Sequence, residues 1–237
     1  MNMTTFHQIA VKCPHCGLLM SDYELMSYTV HKSTTYSDGL CDNGISKIKD
    51  IGICVNCNGT FWREDAKLTE ELDWKAMEEL DNSLDMMDLP WKFDDDRQEK
   101  QILFYKELLE NGFADNEWKE TYLRTRLWWS VNDLVRYLSA WYDARNIKQF
   151  KGILRHRREN FRLFNKYKKL LHHNLDKLIF LYIKGGNVDL LYLADMYREK
   201  EDFSKALEIL LKVEKKDALY NQMKHKIRRK NSQVYQL

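Results

Sequence analysis

Proline is almost missing from this chain of 237 residues: Pro14 and Pro90 are the only two, and none follows residue 90. Proline removes a backbone donor and clashes with the preceding turn in a helix interior, so its absence leaves residues 91–237 free to run as uninterrupted helices. Long apolar runs are missing too. Nowhere do 18 consecutive apolar residues occur, which excludes an ordinary membrane-spanning helix. The opening MNMTTFHQIAVKC lacks the apolar stretch of a secretory signal, so a cytoplasmic location is expected. Glycine is sparse at nine residues, and Gly185-Gly186 stands outside any G-x-x-x-x-G-K-[S/T] or G-x-G-x-x-G context, which makes it a helix terminus rather than a phosphate loop. The histidine pair His172-His173 and the acidic run Asp94-Asp95-Asp96 are not spaced to specify a mechanism, and no catalytic residues are assigned.

What the chain does have is core material and a strong charge asymmetry. Hydrophobic residues make up 44% and aromatics 13%, the composition of a folded globular protein rather than a disordered one. The net charge of +2 hides two opposed segments: 19 Asp/Glu against 7 Lys/Arg between Glu64 and Glu120, then 12 Lys/Arg against 2 Asp/Glu between Arg145 and Lys184. The two halves can attract each other, or the basic one can face an acidic partner.

Four of the five cysteines form two Cys-x-x-Cys units, Cys13-Pro14-His15-Cys16-Gly17 and Cys54-Val55-Asn56-Cys57-Asn58-Gly59. In a reducing compartment this spacing points to a tetrahedral four-thiolate metal site rather than disulfides, with zinc as the expected cofactor. A redox dithiol and an iron centre are the competing readings. The residue after each second cysteine should adopt positive φ, which Gly17 does freely and Asn58 tolerates. Short strands over 8–13 and 49–54 deliver the knuckles, 24–31 and 60–62 supply further strands, and Tyr36-Ser37-Asp38-Gly39 is a turn. His15 reads as a surface residue. Cys41 lies in a loop and is left as an unliganded thiol, an extra ligand or a redox sensor. Four sulfur ligands close the coordination sphere, so the site is expected to be structural.

CPHCG, then YSDG at 36–39, then CVNCNGTFWREDA at 54–66, together with YLRTRLWWSVNDLVR and LADMYREKEDFSKALEIL, resemble a group of uncharacterised bacterial proteins. These carry an N-terminal zinc ribbon followed by tetratricopeptide-like helices. The resemblance implies architecture and says nothing of mechanism.

Beyond the ribbon, spacing predicts a helix from Asp65 or Thr69 to about Leu84, a second over Arg97–Glu110 stopped by Asn111-Gly112, and a third over Glu117–Trp129. A restart near Ser130 leads into Leu134–Tyr142, with Trp128, Trp129 and Trp141 read mainly as core. Ile147–His172 and Asn174–Ile183 follow. From Asn187 the pattern Leu190, Leu193, Ala194, Tyr197, Ala206, Leu210, Val213 has tetratricopeptide spacing, with Asp202 as a cap and Glu201 where the usual glycine stands. A terminal helix covers Asp217–Arg229.

The expected architecture is mainly α: a zinc-ribbon β domain over 1–64, a helix and linker over 65–96, and a tetratricopeptide-like helical domain over 97–237. The expected function is a zinc-stabilised scaffold that binds another protein, without catalysis and without membrane association. The alternative is a nucleic-acid-associated protein that uses Lys151, Arg155, Arg158, Arg162, Lys166 and Lys169 to neutralise phosphates.

Overall fold

The computed structural model describes residues 5–27, 33–42, 50–66, 97–136, 138, 144–186 and 188–237. The expected helix up to Leu84, the strand end over 28–31, most of Leu134–Tyr142 and Trp141 lie outside the described residues. The chain is mainly helical after an N-terminal set of hairpins, and it divides into two compact units. The first takes residues 1–33 and 42–95, the second 34–41 and 96–237. Segment 34–41, expected within the ribbon, therefore groups with the helices.

In the first unit, β1 (Thr5–Lys12) pairs antiparallel with β2 (Leu19–Ser27), and β5 (Ile51–Ile53) pairs with β6 (Thr60–Trp62). Each hairpin turns through one Cys-x-x-Cys knuckle. The expected strand over 24–31 begins earlier, at Leu19 directly after the first knuckle, because Lys12 pairs with Leu19 and Val11 with Met20. Val11, Met20, Phe61 and Ala66 bury around Cys13 and Cys54, and Ile9 packs at the edge of that cluster. A short helix α1 (Arg63–Ala66) follows β6, and Arg63 pairs with the buried Asp22 of β2.

In the second unit, five helices begin on an Asn or Asp whose carboxylate or amide oxygen accepts an otherwise unsatisfied backbone N–H. These are α3 (Glu117–Arg136) on Asn116, α4 (Ile147–Lys184) on Asn146, α5 (Leu190–Glu199) on Asp189, α6 (Phe203–Leu210) on Asp202 and α7 (Ala218–Arg228) on Asp217. The helix before them, α2 (Arg97–Glu110), has its predicted bounds and ends at Gly112, whose φ of 68° lets Phe113 N–H return to the Leu108 carbonyl.

Two expected breaks are absent. Helix α3 runs through Ser130, whose hydroxyl donates to the Arg126 carbonyl at 2.7 Å while Leu127, Val131 and Leu134 bury beside it. A serine that satisfies itself on its own helix has no reason to cap a new one. Likewise α4 is one helix of 38 residues through His172-His173-Asn174. Asn174 is buried, and its amide spans to α3, donating to the Arg124 carbonyl at 2.8 Å and accepting from Arg124 Nη1 at 3.3 Å, so it does not compete with its own backbone. That contact, with the ion pair of Lys184 and Glu117, sets α3 and α4 antiparallel.

The hairpin of β3 (Thr34–Thr35) and β4 (Cys41–Asp42) carries a polar centre into this unit. Asp38 is wholly buried: its carboxylate accepts from Arg136 Nη1 at 2.9 Å, from Arg136 Nη2, and from Asn132 Nδ2 at 2.8 Å, while its carbonyl accepts from Trp129 Nε1 at 2.9 Å. Glu199, also buried, accepts from Trp128 Nε1 at 2.6 Å and Asn132 Nδ2 at 2.9 Å. Arg198 donates to Asp195 at 2.7 Å and to the carbonyls of Asn231 and Gln233 at 2.7 and 2.8 Å. Ser37 N–H reaches the Tyr235 carbonyl and Leu237 N–H the Thr35 carbonyl, both at 2.9 Å, so the last residues lie beside the hairpin like a further strand. At the tip, Gly39 has φ 77°, and a Cβ there would meet Tyr192 Cε2 at 2.8 Å.

Candidate metal centre

The two knuckles are built alike. Gly17 N–H donates to the Cys13 carbonyl at 2.9 Å and Asn58 N–H to the Cys54 carbonyl at 2.8 Å; Cys13 N–H reaches Leu18 and Cys54 N–H reaches Gly59, at 2.9 and 3.0 Å. Gly17 and Asn58 have φ of 75° and 56°, the left-handed conformation the sequence predicts for both. Each turn thereby folds its two thiols to one side.

Cys13, Cys16, Cys54 and Cys57 come together, with all four Sγ atoms within 4.8 Å of one another. Cys13 Sγ lies 3.7 Å from Cys57 Sγ, and Cys16 Sγ 3.6 Å from Cys54 Sγ. A tetrahedral ion with metal–sulfur bonds of about 2.3 Å has sulfur–sulfur edges of about 3.8 Å, so the donor set fits such an ion and leaves no fifth group to complete. None of the five cysteines is in a disulfide. Cys41, in the other unit, accepts weakly from Thr35 Oγ1 at 3.9 Å and is not part of this cluster.

The outer contacts treat the sulfurs unequally. Leu18 N–H and then Asn56 Nδ2, the latter at 3.7 Å, hold the Cys16 thiol down to about 6. Gly59 N–H pulls the Cys57 thiol the same way, but desolvation and the neighbouring Cys54, Cys16 and Cys13 sulfurs push it up to about 12. Cys16 is therefore the easier of these two thiols to ionise and Cys57 the harder.

Sequence reasoning missed the role of His15. Its ring is exposed, but Nε2 donates to the Thr60 carbonyl at 2.9 Å and so ties the first knuckle to β6. The ring lies against Gly59, where an added Cβ would come within 2.9 Å of its Cγ and 3.1 Å of Cys57 Sγ. Only the glycine at 59 hinted at so close an approach. The Asp38 centre was also missed: in sequence, Asp38-Gly39 is a turn, and nothing local marks it as a buried partner of Arg136.

The six basic residues predicted for phosphate binding all lie on α4, and all are exposed. Lys166 is paired with Glu99 at 2.6 Å, which lowers the Glu99 carboxyl and raises Lys166. No described helix is long and apolar enough to cross a membrane.

The fold and centre together define a four-cysteine metal-site unit joined to a helical unit. Comparison with protein-family models, curated proteins and solved structures gives no significant match.

Proposed function

We propose that the chain is a zinc-stapled binding protein of the cytoplasm, without catalytic activity, whose tetratricopeptide-like helical body engages another protein. Zinc is favoured for Cys13, Cys16, Cys54 and Cys57 because four thiolates at tetrahedral spacing suit a redox-inert ion and leave it no open position for water or substrate. Such an ion supplies folding energy and orders the two hairpins. The α5–α6 pair, with the buried Ala194 and Ala206, supports the helical-repeat reading, as does the resemblance to ribbon-plus-helix bacterial proteins.

The observation that carries partner binding is an exposed apolar end on the helical unit. Trp118 opens α3 at 54% exposure, and Phe180 and Ile183 close α4 at 65% and 49%. The ion pair of Lys184 with Glu117 brings these two helix ends together. Aromatic and aliphatic side chains left in water at one end of a helix pair mark a surface that another protein covers.

Metal analysis of purified protein should return about one zinc per chain. For the partner, a photo-crosslinker beside Trp118 should trap one defined protein in cells, and Trp118→Ala with Phe180→Ala should abolish the adduct. Leu103→Ala, at a separate exposed apolar position on α2, should leave the adduct intact. An adduct indifferent to the Trp118 and Phe180 changes would overturn this reading.

A further inference from the structure

The basic residues of α4 do more than accumulate charge. Lys151, Arg155, Arg158, Arg162, Lys166 and Lys169 follow one another at separations of four, three, four, four and three residues. At 3.6 residues per turn this keeps them on one face, and eighteen residues at 1.5 Å each make the row about 27 Å long. Because α4 is continuous, the row is unbroken.

Glu99 pairs with Lys166 and the exposed Glu159 flanks the row, but the described residues leave the rest of it without an ion pair. Elsewhere on α4 three charges are matched: Lys168 with Glu201, Lys184 with Glu117, Asp176 with Lys200. In the row only Lys166 has an acidic partner, Glu99; among the described residues Lys151, Arg155, Arg158, Arg162 and Lys169 make no ion pair. Like charges three and four residues apart repel, so the row works against the helix that carries it. An anionic polymer laid along it removes that repulsion.

We propose that this face of α4 is a track for the phosphate backbone of a single-stranded nucleic acid, a surface separate from the apolar end assigned to a protein partner. One cation per helical turn in an unbroken row suits a flexible polyanion that can follow it, whereas the backbone of a duplex winds away after a few contacts. A membrane surface fits poorly. Every exposed residue from Lys151 to Lys169 is polar or glycine, and the apolar Phe164 and Leu171 are buried on the other side, so along the row itself nothing inserts between lipids; the exposed Ile147 and Phe150 lie only at its N-terminal end. The contacts reach phosphates alone, so binding is independent of base sequence.

The test uses the full metal-loaded chain and fluorescent oligouridylate of about 20 nucleotides, titrated across salt concentrations. Five unopposed cations predict a log–log salt slope of about −3.5 on a single strand. The combined variant Lys151→Gln, Arg155→Gln, Arg158→Gln, Arg162→Gln, Lys169→Gln should lose about tenfold or more in affinity and most of that slope, while its melting temperature stays equal or rises because the repulsion is gone. Neutralising the exposed Lys215, Lys216, Arg228, Arg229 and Lys230 instead should change affinity by less than about threefold. No binding of oligouridylate at low salt, binding retained by the five-residue variant, tighter binding to a duplex of equal length, or binding only to anionic vesicles would each overturn the proposal. None of these outcomes bears on the Trp118 adduct, so the two readings fail separately.

Discussion

At the scale of single residues, the cysteines and their following positive-φ positions were legible because each is a local requirement: a thiol pair needs a turn, and the turn needs Gly17 or Asn58. What sequence could not show are contacts made across long stretches of chain. His15 meets the Thr60 carbonyl across 45 residues, and Asp38 meets Arg136 across 98. The His15–Gly59 approach predicts that Gly59→Ala destabilises the metal-loaded first unit by about 1–3 kcal/mol through overpacking. In a His15→Ala background the same change should cost much less, and thermal melting of the four proteins of that cycle measures the difference. Glu199 carries a second prediction. Burial first, then the Asp195 and Asp38 carboxylates, raises its carboxyl well above the ordinary range, against the pull of Arg198 and Trp128. A folded state that holds its proton more tightly than the unfolded chain has this stabilisation in full below the unfolded value of about 4.3 and loses it as pH rises through the raised folded value. Urea midpoints should therefore fall as pH rises above about 4.3, and Glu199→Gln should flatten that fall.

At the scale of elements, the Asp202 cap and the Gly112 stop were legible, four other caps went unnamed, and the helix breaks were misread. Asp202 and Gly112 act through their own turns, so local chemistry was enough. Ser130 and Asn174 look like interruptions, but the serine bonds back onto its own helix and the asparagine is drawn across to Arg124. Tertiary packing decided both cases against local preference. Glu201 shows the converse: the turn between α5 and α6 does need a left-handed residue, and a glutamate at φ 67° occupies it where glycine is usual. Its carboxylate accepts from Lys168 at 2.6 Å and from Ser232 at 3.1 Å, which offsets part of that cost. For α4, the start is held reciprocally, Asn146 Oδ1 accepting from Gln149 N–H at 2.9 Å and Gln149 Oε1 from Arg145 N–H at 2.8 Å. Asn146→Ala should cost about 1 kcal/mol, with faster amide exchange confined to the first turn of α4.

At the scale of the molecule, the two units depend on different forces. Four thiolates and a small apolar cluster hold the first; in such sites metal binding is worth about 10–16 kcal/mol, as much as the whole stability of a small domain. A strong chelator should therefore unfold the first unit, seen as loss of its dispersed amide resonances, while the helical far-UV signal persists. The second unit, which gathers no such ligand cluster among its described residues, depends on residues far from its helices. A fragment of residues 97–237 lacks Asp38, so the buried Arg136 side chain keeps Asp133 at 2.8 Å but loses its hydrogen bonds to Asp38, at a cost of about 1.5–3 kcal/mol, a sizeable share of the stability of a domain this size. Denaturant titration should find that fragment much weaker than the same helices in the full chain, and a peptide spanning 34–41 should restore part of the difference.

The position of the polar centre also bears on how the chain folds as it is made. Asp38 leaves the ribosome almost a hundred residues before Arg136, and Ser37 almost two hundred before Tyr235. The first unit has both knuckles in hand early and can bring its four cysteines together, but the eight residues of segment 34–41 find their helical partners only later. Residues 231–237, made later still, are also the ones that Arg198 and the hairpin grip. Maturation of the helical unit is thus tied to the arrival of residues 231–237 rather than to the appearance of its helices.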